Sequence, residues 1–225
     1  MASLVMEEEK SLKEKISVLD KLSSALNKKA GKTVVGRIGD NEEIAEKLRI
    51  KFIPSKCEEF NQVTGGGYPR GRTVLIAGME DSGKTSRLLE DIGYNMQKDP
   101  GFTSLWIESE GSLEINYLEK TFGIDPNRFY YLEVEREGAA ETCLDRIESY
   151  LALGNVLDIV VINSLKCLVP KRETTDSFND SQVGLQARMN NKMQRKFTAL
   201  ISEANLSYVL ITHLHTDISK AMSRD

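Results

Sequence analysis

The octapeptide GMEDSGKT, Gly78 to Thr85, constrains this 225-residue chain more than any other stretch. It fits G-x-x-x-x-G-K-[ST] and lies between an apolar run, TVLIAG, and a segment with helical spacing. That is the strand–loop–helix context in which such a loop binds phosphate. Gly78 and Gly83 let the backbone curl so that its N–H groups face phosphate oxygens, and the helix N-terminus adds partial positive charge. Lys84 is expected to reach the β- and γ-phosphates of a nucleotide, and the Thr85 hydroxyl to ligate Mg²⁺. The expected nucleotide site therefore comprises Gly78, Met79, Glu80, Asp81, Ser82, Gly83, Lys84 and Thr85, with Ser86 beside them.

The segments around this loop alternate between helical and strand patterns. TVLIAG, TSLWIES, FYYLEV, LDIVVIN and LSYVLITH read as strands. Helices are expected over about 85–97, 114–122, 139–153 and 182–203. Strands alternating with helices of this length imply βαβ crossovers, hence an α/β fold with a mostly parallel sheet covered on both faces. Upstream, Leu12, Ile16, Leu19, Leu22 and Leu26 recur at helical spacing and stop at Gly31, predicting an amphipathic helix over 6–30. Its apolar stripe suits either its own domain or a neighbouring subunit. TVVGRI, residues 33–38, reads as a short strand. The expected division is an N-terminal helix and connector over 1–60, and a nucleotide-binding core over 61–225.

Composition narrows the class. Hydrophobic residues make up 40% of the chain, enough for a sizeable core. A net charge of −4 argues against a wholesale nucleic-acid coat but leaves room for a local basic patch. Cys57, Cys143 and Cys167 lie far apart without a CxxC pair, as expected of reduced thiols in a cytoplasmic protein. The N-terminus lacks a secretory pattern and no apolar run reaches membrane-spanning length, so neither export nor a membrane partner is expected.

Beyond the loop, alternation puts Glu108 and Glu110 on one face at the C-terminal end of TSLWIES, where ligands of open α/β sheets gather. A carboxylate there can orient and deprotonate an attacking water. Asn163 ends the buried run LDIVVIN, and His213 ends LSYVLITH. Arg188, Lys192, Arg195 and Lys196 share one helix face, a stripe that suits a phosphate backbone or a merely solvated surface. Glu173, Asp176 and Asp180 nearby weaken the purely electrostatic argument. A metal pair of His213 with His215 and Asp217 lacks a further convincing ligand.

GGYPRGR, GMEDSGKTS, WIESEGSLEINY, DIVVINSL and above all PKRETTDSFNDSQVGLQARMNNKMQRK give the chain from about Gly66 to His213 a resemblance to the RecA-type recombinases. Ring helicases share the first and fourth of these motifs, and the fifth separates recombinases from them, so a ring motor is disfavoured. The resemblance implies a RecA-like core that binds ATP and Mg²⁺. Glu110 would be the water-activating base, Tyr117 the adenine platform, and Glu114 a neighbour of the adenine amino group. Segment 171–182 would form a DNA-binding loop, and Val183, Arg188, Asn191 and Arg195 would meet single-stranded DNA. His213 would sense the γ-phosphate.

The resemblance further implies a head-to-tail helical filament on single-stranded DNA, with ATP between subunits and homologous double-stranded DNA as the target. Relatives carry Asp where Asn163 stands beside Thr85 in the Mg²⁺ site. Loss of that charge predicts retained ATP binding with impaired turnover, or an ATP-binding assembly module with little hydrolysis. Glu108 is a candidate substitute for the missing carboxylate. Relatives also continue past His213, so the expected core is incomplete at its C-terminal end.

Overall fold

The computed structural model describes residues 2–111, 113–134, 140–171 and 184–214. The chain divides into two units, Met1–Ile50 and Lys51–Asp225. In the first, α1 (Ala2–Ala30) ends where Gly31 turns left-handed, and α2 (Glu42–Leu48) is capped by Asn41, whose side chain accepts from the Ile44 N–H. Leu12, Leu19, Leu22 and Leu26 are exposed on α1.

TVVGRI does not form the expected strand. The Asn27 side chain takes the N–H groups of Val34 and Val35 and donates to the Val35 carbonyl, which satisfies that backbone without a ladder. β-branched residues carried the expectation, but a strand also needs a partner.

The second unit begins ten residues before the expected boundary. Residues 51–56 join the core through β1 (Phe52–Ile53), which pairs antiparallel with β2 (Tyr68–Pro69) across α3 (Glu58–Thr64). Asp91, almost wholly buried, fastens this segment. Its carboxylate accepts from the Ser55 hydroxyl at 2.9 Å, the Lys56 N–H at 2.8 Å and the Tyr68 hydroxyl at 2.7 Å. Burial and the Asp91 charge push the Tyr68 phenol far above its ordinary range, so it stays a donor.

The main sheet has five parallel strands in the order β3 (Arg72–Gly78), β7 (Ser207–His213), β6 (Ile159–Asn163), β4 (Ser104–Glu108) and β5 (Phe129–Glu133). β4 and β6 are buried along their whole length, as strands covered on both faces must be. One face packs Trp106, Ile159, Val161 and Val209 on α4 (Lys84–Lys98) through Leu88, Ile92 and Met96. The other packs Leu105, Ile107, Val160 and Ile162 on α6 (Ala140–Leu151) and α7 (Leu185–Ala204). Met189, Met193, Phe197 and Ile201 recur every fourth residue as the buried stripe of α7. α5 (Ile115–Tyr117) is short and runs into a π-helical turn, Leu118–Phe122, where one longer helix was expected. Among the described residues no helix is long and apolar enough to cross a membrane.

Asp91→Ala leaves several buried donors without an acceptor and is expected to cost about 3 kcal/mol. Urea unfolding should show a lower midpoint at unchanged slope. A midpoint at the wild-type value would mean that residues 51–56 are held by other contacts.

Candidate functional site

All five strands run the same way, so their C-terminal ends lie along one edge of the sheet. The pairing register aligns the polar residues there: Gly78 is opposite His213, and Glu108 is opposite Asn163. The loop leaving β3 turns through two left-handed residues, Asp81 (φ 55°) and Gly83 (φ 81°), and enters α4 at Lys84. A Cβ at Gly78 would sit 2.9 Å from Ser82 Oγ and 3.3 Å from Lys84 Cδ, so a side chain there would push both of these side chains off their present places over the loop. Ser82 Oγ donates to the Met79 carbonyl at 2.7 Å. The Lys84 ammonium donates to the Gly78 carbonyl at 3.1 Å and to the Met79 carbonyl, which centres its charge over the loop. The first turn of α4 leaves N–H groups without intrahelical acceptors, and with Lys84 these form a positive pole suited to an anion. Met79, Glu80, Asp81, Ser82, Gly83 and Ser86 are exposed, while Lys84 and Thr85 are half-buried.

Thr85 opens the helix beside the end of β6. Its Oγ1 lies 3.4 Å from Oδ1 of the buried Asn163. The Asn163 amide nitrogen in turn donates to Glu108, 3.1 Å from Oε2. Glu108 is only 1% exposed, yet its carboxylate is well supplied with donors. Oε2 also accepts from the Trp106 indole at 2.9 Å, and Oε1 accepts the N–H groups of Glu110 at 2.7 Å and Gly111 at 3.0 Å. A hydroxyl oxygen and an amide oxygen facing each other, with a carboxylate behind, are the hard neutral donors that Mg²⁺ accepts when phosphate and water complete its shell. These residues fit that ion.

Glu110 follows the end of β4 and is held against β7. Its Oε1 lies 3.0 Å from His213 Nε2. The carboxylate at Nε2 puts an N–H on that nitrogen, and Nδ1 is buried without a hydrogen-bond partner among the described residues. Burial would raise the Glu110 pKa, but hydrogen bonds from His213 and Ser164 and the positive charges of His213 and Lys84 outweigh it, and the net shift is downward. Ser109 stitches the same corner, donating through Oγ to the Asn163 carbonyl at 2.9 Å and accepting the Ser164 N–H at 2.9 Å.

The remaining expected residues lie apart from this cluster. Tyr117 is half exposed and meets Phe122 edge-on at 5.1 Å. Glu114 caps α5, accepting from the Asn116 and Tyr117 N–H groups, and those bonds lower its pKa. Arg188, Asn191 and Arg195 are exposed on α7, opposite its buried stripe. Lys196 pairs with Glu148 and is less available than the charge stripe suggested. Val183, most of segment 171–182, His215 and Asp217 lie outside the described residues. Among the described residues no group of three His, Cys, Asp or Glu side chains could hold a metal.

Three contributors were not anticipated. Trp106 reads as plain strand filler, because the partner of its indole N–H is set by the fold. Ser109 sits between two glutamates that drew the reading past it. Gln186, in the first turn of α7, donates to the Lys166 carbonyl at 2.9 Å and so ties that helix to the loop after Asn163. A polar residue in the first turn of an otherwise patterned helix was the only available signal.

A carboxylate with a lowered folded pKa stabilises the fold above its unfolded value, about 4.3, and that contribution is lost as pH falls through the folded value. The stability gap between wild type and His213→Ala, read by thermal unfolding, is therefore expected to be widest above about pH 5 and to narrow in more acid solution. A gap of constant size would show that His213 does not hold Glu110.

Residues 17–223 match the family model described as the RecA N-terminal domain. The chain is 35% identical to Protein RecA of Mycoplasma mycoides over 210 residues, 93% of this chain and 56% of that protein. It is 33% identical to Protein RecA of Staphylococcus carnosus over 206 residues, 91% of this chain and 55% of the relative. Protein RecA of Francisella tularensis subsp. novicida is 35% identical over 205 residues, 91% and 54% of the two chains. The chain thus spans about half the length of the curated relatives it matches.

Proposed function

The chain belongs to the RecA family, and from that premise we propose that it is the ATP-hydrolysing core of a DNA recombinase serving homologous recombination and repair in the cytoplasm. The observation that carries this reading is the convergence at one sheet edge of the Gly78–Thr85 loop, Asn163, Glu110 and His213. The loop N–H groups and Lys84 bind the phosphates of ATP. Thr85 and Asn163 hold Mg²⁺, which when bound neutralises charge developing on the phosphate oxygens.

Glu110, kept ionised by His213 and Ser164, orients the attacking water and accepts its proton. His213 bonds to Glu110 and adjoins Gly78 in the ladder, so a terminal phosphate alters its hydrogen bonding and the movement passes along β7. Tyr117 and Glu114 receive the adenine. Arg188, Asn191 and Arg195, with Val183, grip single-stranded DNA, which is then matched to homologous double-stranded DNA. The exposed apolar stripe of α1 joins subunits head to tail in a filament, a heterologous contact that need not close.

A fluorescent ATP analogue should bind saturably in magnesium buffer, and Lys84→Ala should weaken it roughly 10- to 100-fold, the worth of a charge-assisted hydrogen bond. ATP hydrolysis should rise on adding single-stranded DNA. Binding without turnover under either condition would leave an assembly module and overturn the enzymatic part.

Arg188→Ala and Arg195→Ala should each weaken single-stranded DNA binding and flatten its salt dependence by about 0.7 in log–log slope. His213→Ala should keep ATP binding but lose ATP-dependent tightening on DNA. Unchanged tightening would refute the coupling role of His213.

A further inference from the structure

We propose that Glu108 is the positioning residue on the metal side of this site and supplies the buried negative charge that Asn163 lacks. The functional half of the proposal rests on the ATP and Mg²⁺ reading above, whereas the structural half stands on the contacts of Glu108 alone.

An asparagine amide has an acceptor end and a donor end of nearly the same shape, and by itself can present either to Thr85. The neighbouring carboxylate removes that freedom. Asn163 Nδ2 lies 3.1 Å and 3.4 Å from the two oxygens of Glu108. Reversing the amide would set its oxygen against a carboxylate in surroundings where both residues are 1% exposed. Oδ1 is therefore turned to Thr85, as an oxygen that serves a cation requires.

The same carboxylate sets the start of the catalytic turn. Its Oε1 holds the N–H groups of Glu110 and Gly111, so the backbone that carries the base hangs from the residue that orients the metal-side amide. With Trp106 and Asn163 on Oε2, the acceptor sites of an ionised carboxylate are filled, which is what makes its burial tolerable. Acid at 108 with amide at 163 is one self-consistent arrangement. Two acids would face each other at hydrogen-bond distance, and amide at 108 with acid at 163 is the mirror solution.

A double-mutant cycle of Glu108→Gln, Asn163→Asp and the combined swap tests this in two readouts. The first is the thermal midpoint in EDTA without nucleotide. The second is the Mg²⁺ concentration that half-saturates binding of the fluorescent ATP analogue. Each single change is expected to lower the midpoint by roughly 4–10 °C, and the swap to recover at least about half of the summed loss. Glu108→Gln should raise the Mg²⁺ requirement about tenfold, and the swap should return it to within about threefold of wild type. Full restoration is not expected, because a glutamine nitrogen would face the Trp106 indole N–H.

Midpoint losses that simply add, or an unchanged Mg²⁺ requirement in Glu108→Gln, overturn the proposal. Glu108→Asp covers a failure of Glu108→Gln to fold: it keeps the charge but shortens its reach, and wild-type values in both readouts would also overturn it. If wild type takes up no analogue, the ATP reading fails while the EDTA arm still judges the pairing.

Discussion

In-register parallel pairing is the constraint on which everything else in this structure depends. It sends each strand's C-terminal residue to the same edge, so Gly78, His213, Asn163 and Glu108 become neighbours although 135 positions separate the first two. An antiparallel partner anywhere among β3, β7, β6 and β4 would remove one of these groups to the far end. A one-residue slip in β4 would exchange the faces of Trp106 and Ile107, bury Glu108 away from Asn163, and empty the core facing α4.

The site resolves a conflict between burial and charge. Two carboxylates lie near the edge, and each is stabilised differently. Glu108 is buried and survives by accepting hydrogen bonds from four neutral groups, the Trp106 indole, the Asn163 amide and the backbone N–H groups of Glu110 and Gly111. Glu110 is 27% exposed at its side chain and relies on His213 and Ser164 with the more distant Lys84 charge. That difference suits different tasks. A fully saturated carboxylate is a fixed point of the scaffold, while one with open acceptor sites can receive a proton.

Some of this was legible in the residues. The Gly78–Thr85 loop, the strand ends and the helix expected over about 182–203, seen over Leu185–Ala204, follow from spacing, because period-2 and period-3.6 patterns report burial directly. Asn163 stood out as a polar terminus of an apolar run. The pairing of Glu108 with Asn163 was not legible: strand order in a sheet is a long-range choice, and alternation says only which face a residue takes. TVVGRI shows the reverse error, where local propensity was read as a strand and the Asn27 side chain satisfied the backbone instead. The early start of the core unit was hidden for a similar reason. Ser55 and Lys56 look like linker until Asp91, 35 residues on, supplies the acceptor that binds them.

By itself, then, the amino-acid order determined the class of fold, the glycine-bearing loop of Gly78–Thr85, and which polar residues end the strands. Those are properties of short windows, in which turn residues and hydrophobic period act over a few positions. Tertiary structure alone decided which carboxylate became scaffold and which stayed available, which way the Asn163 amide points, and that His213 meets Glu110. Each of these depends on which strand lies beside which, and that is settled only when burial of both sheet faces selects one arrangement of the whole chain.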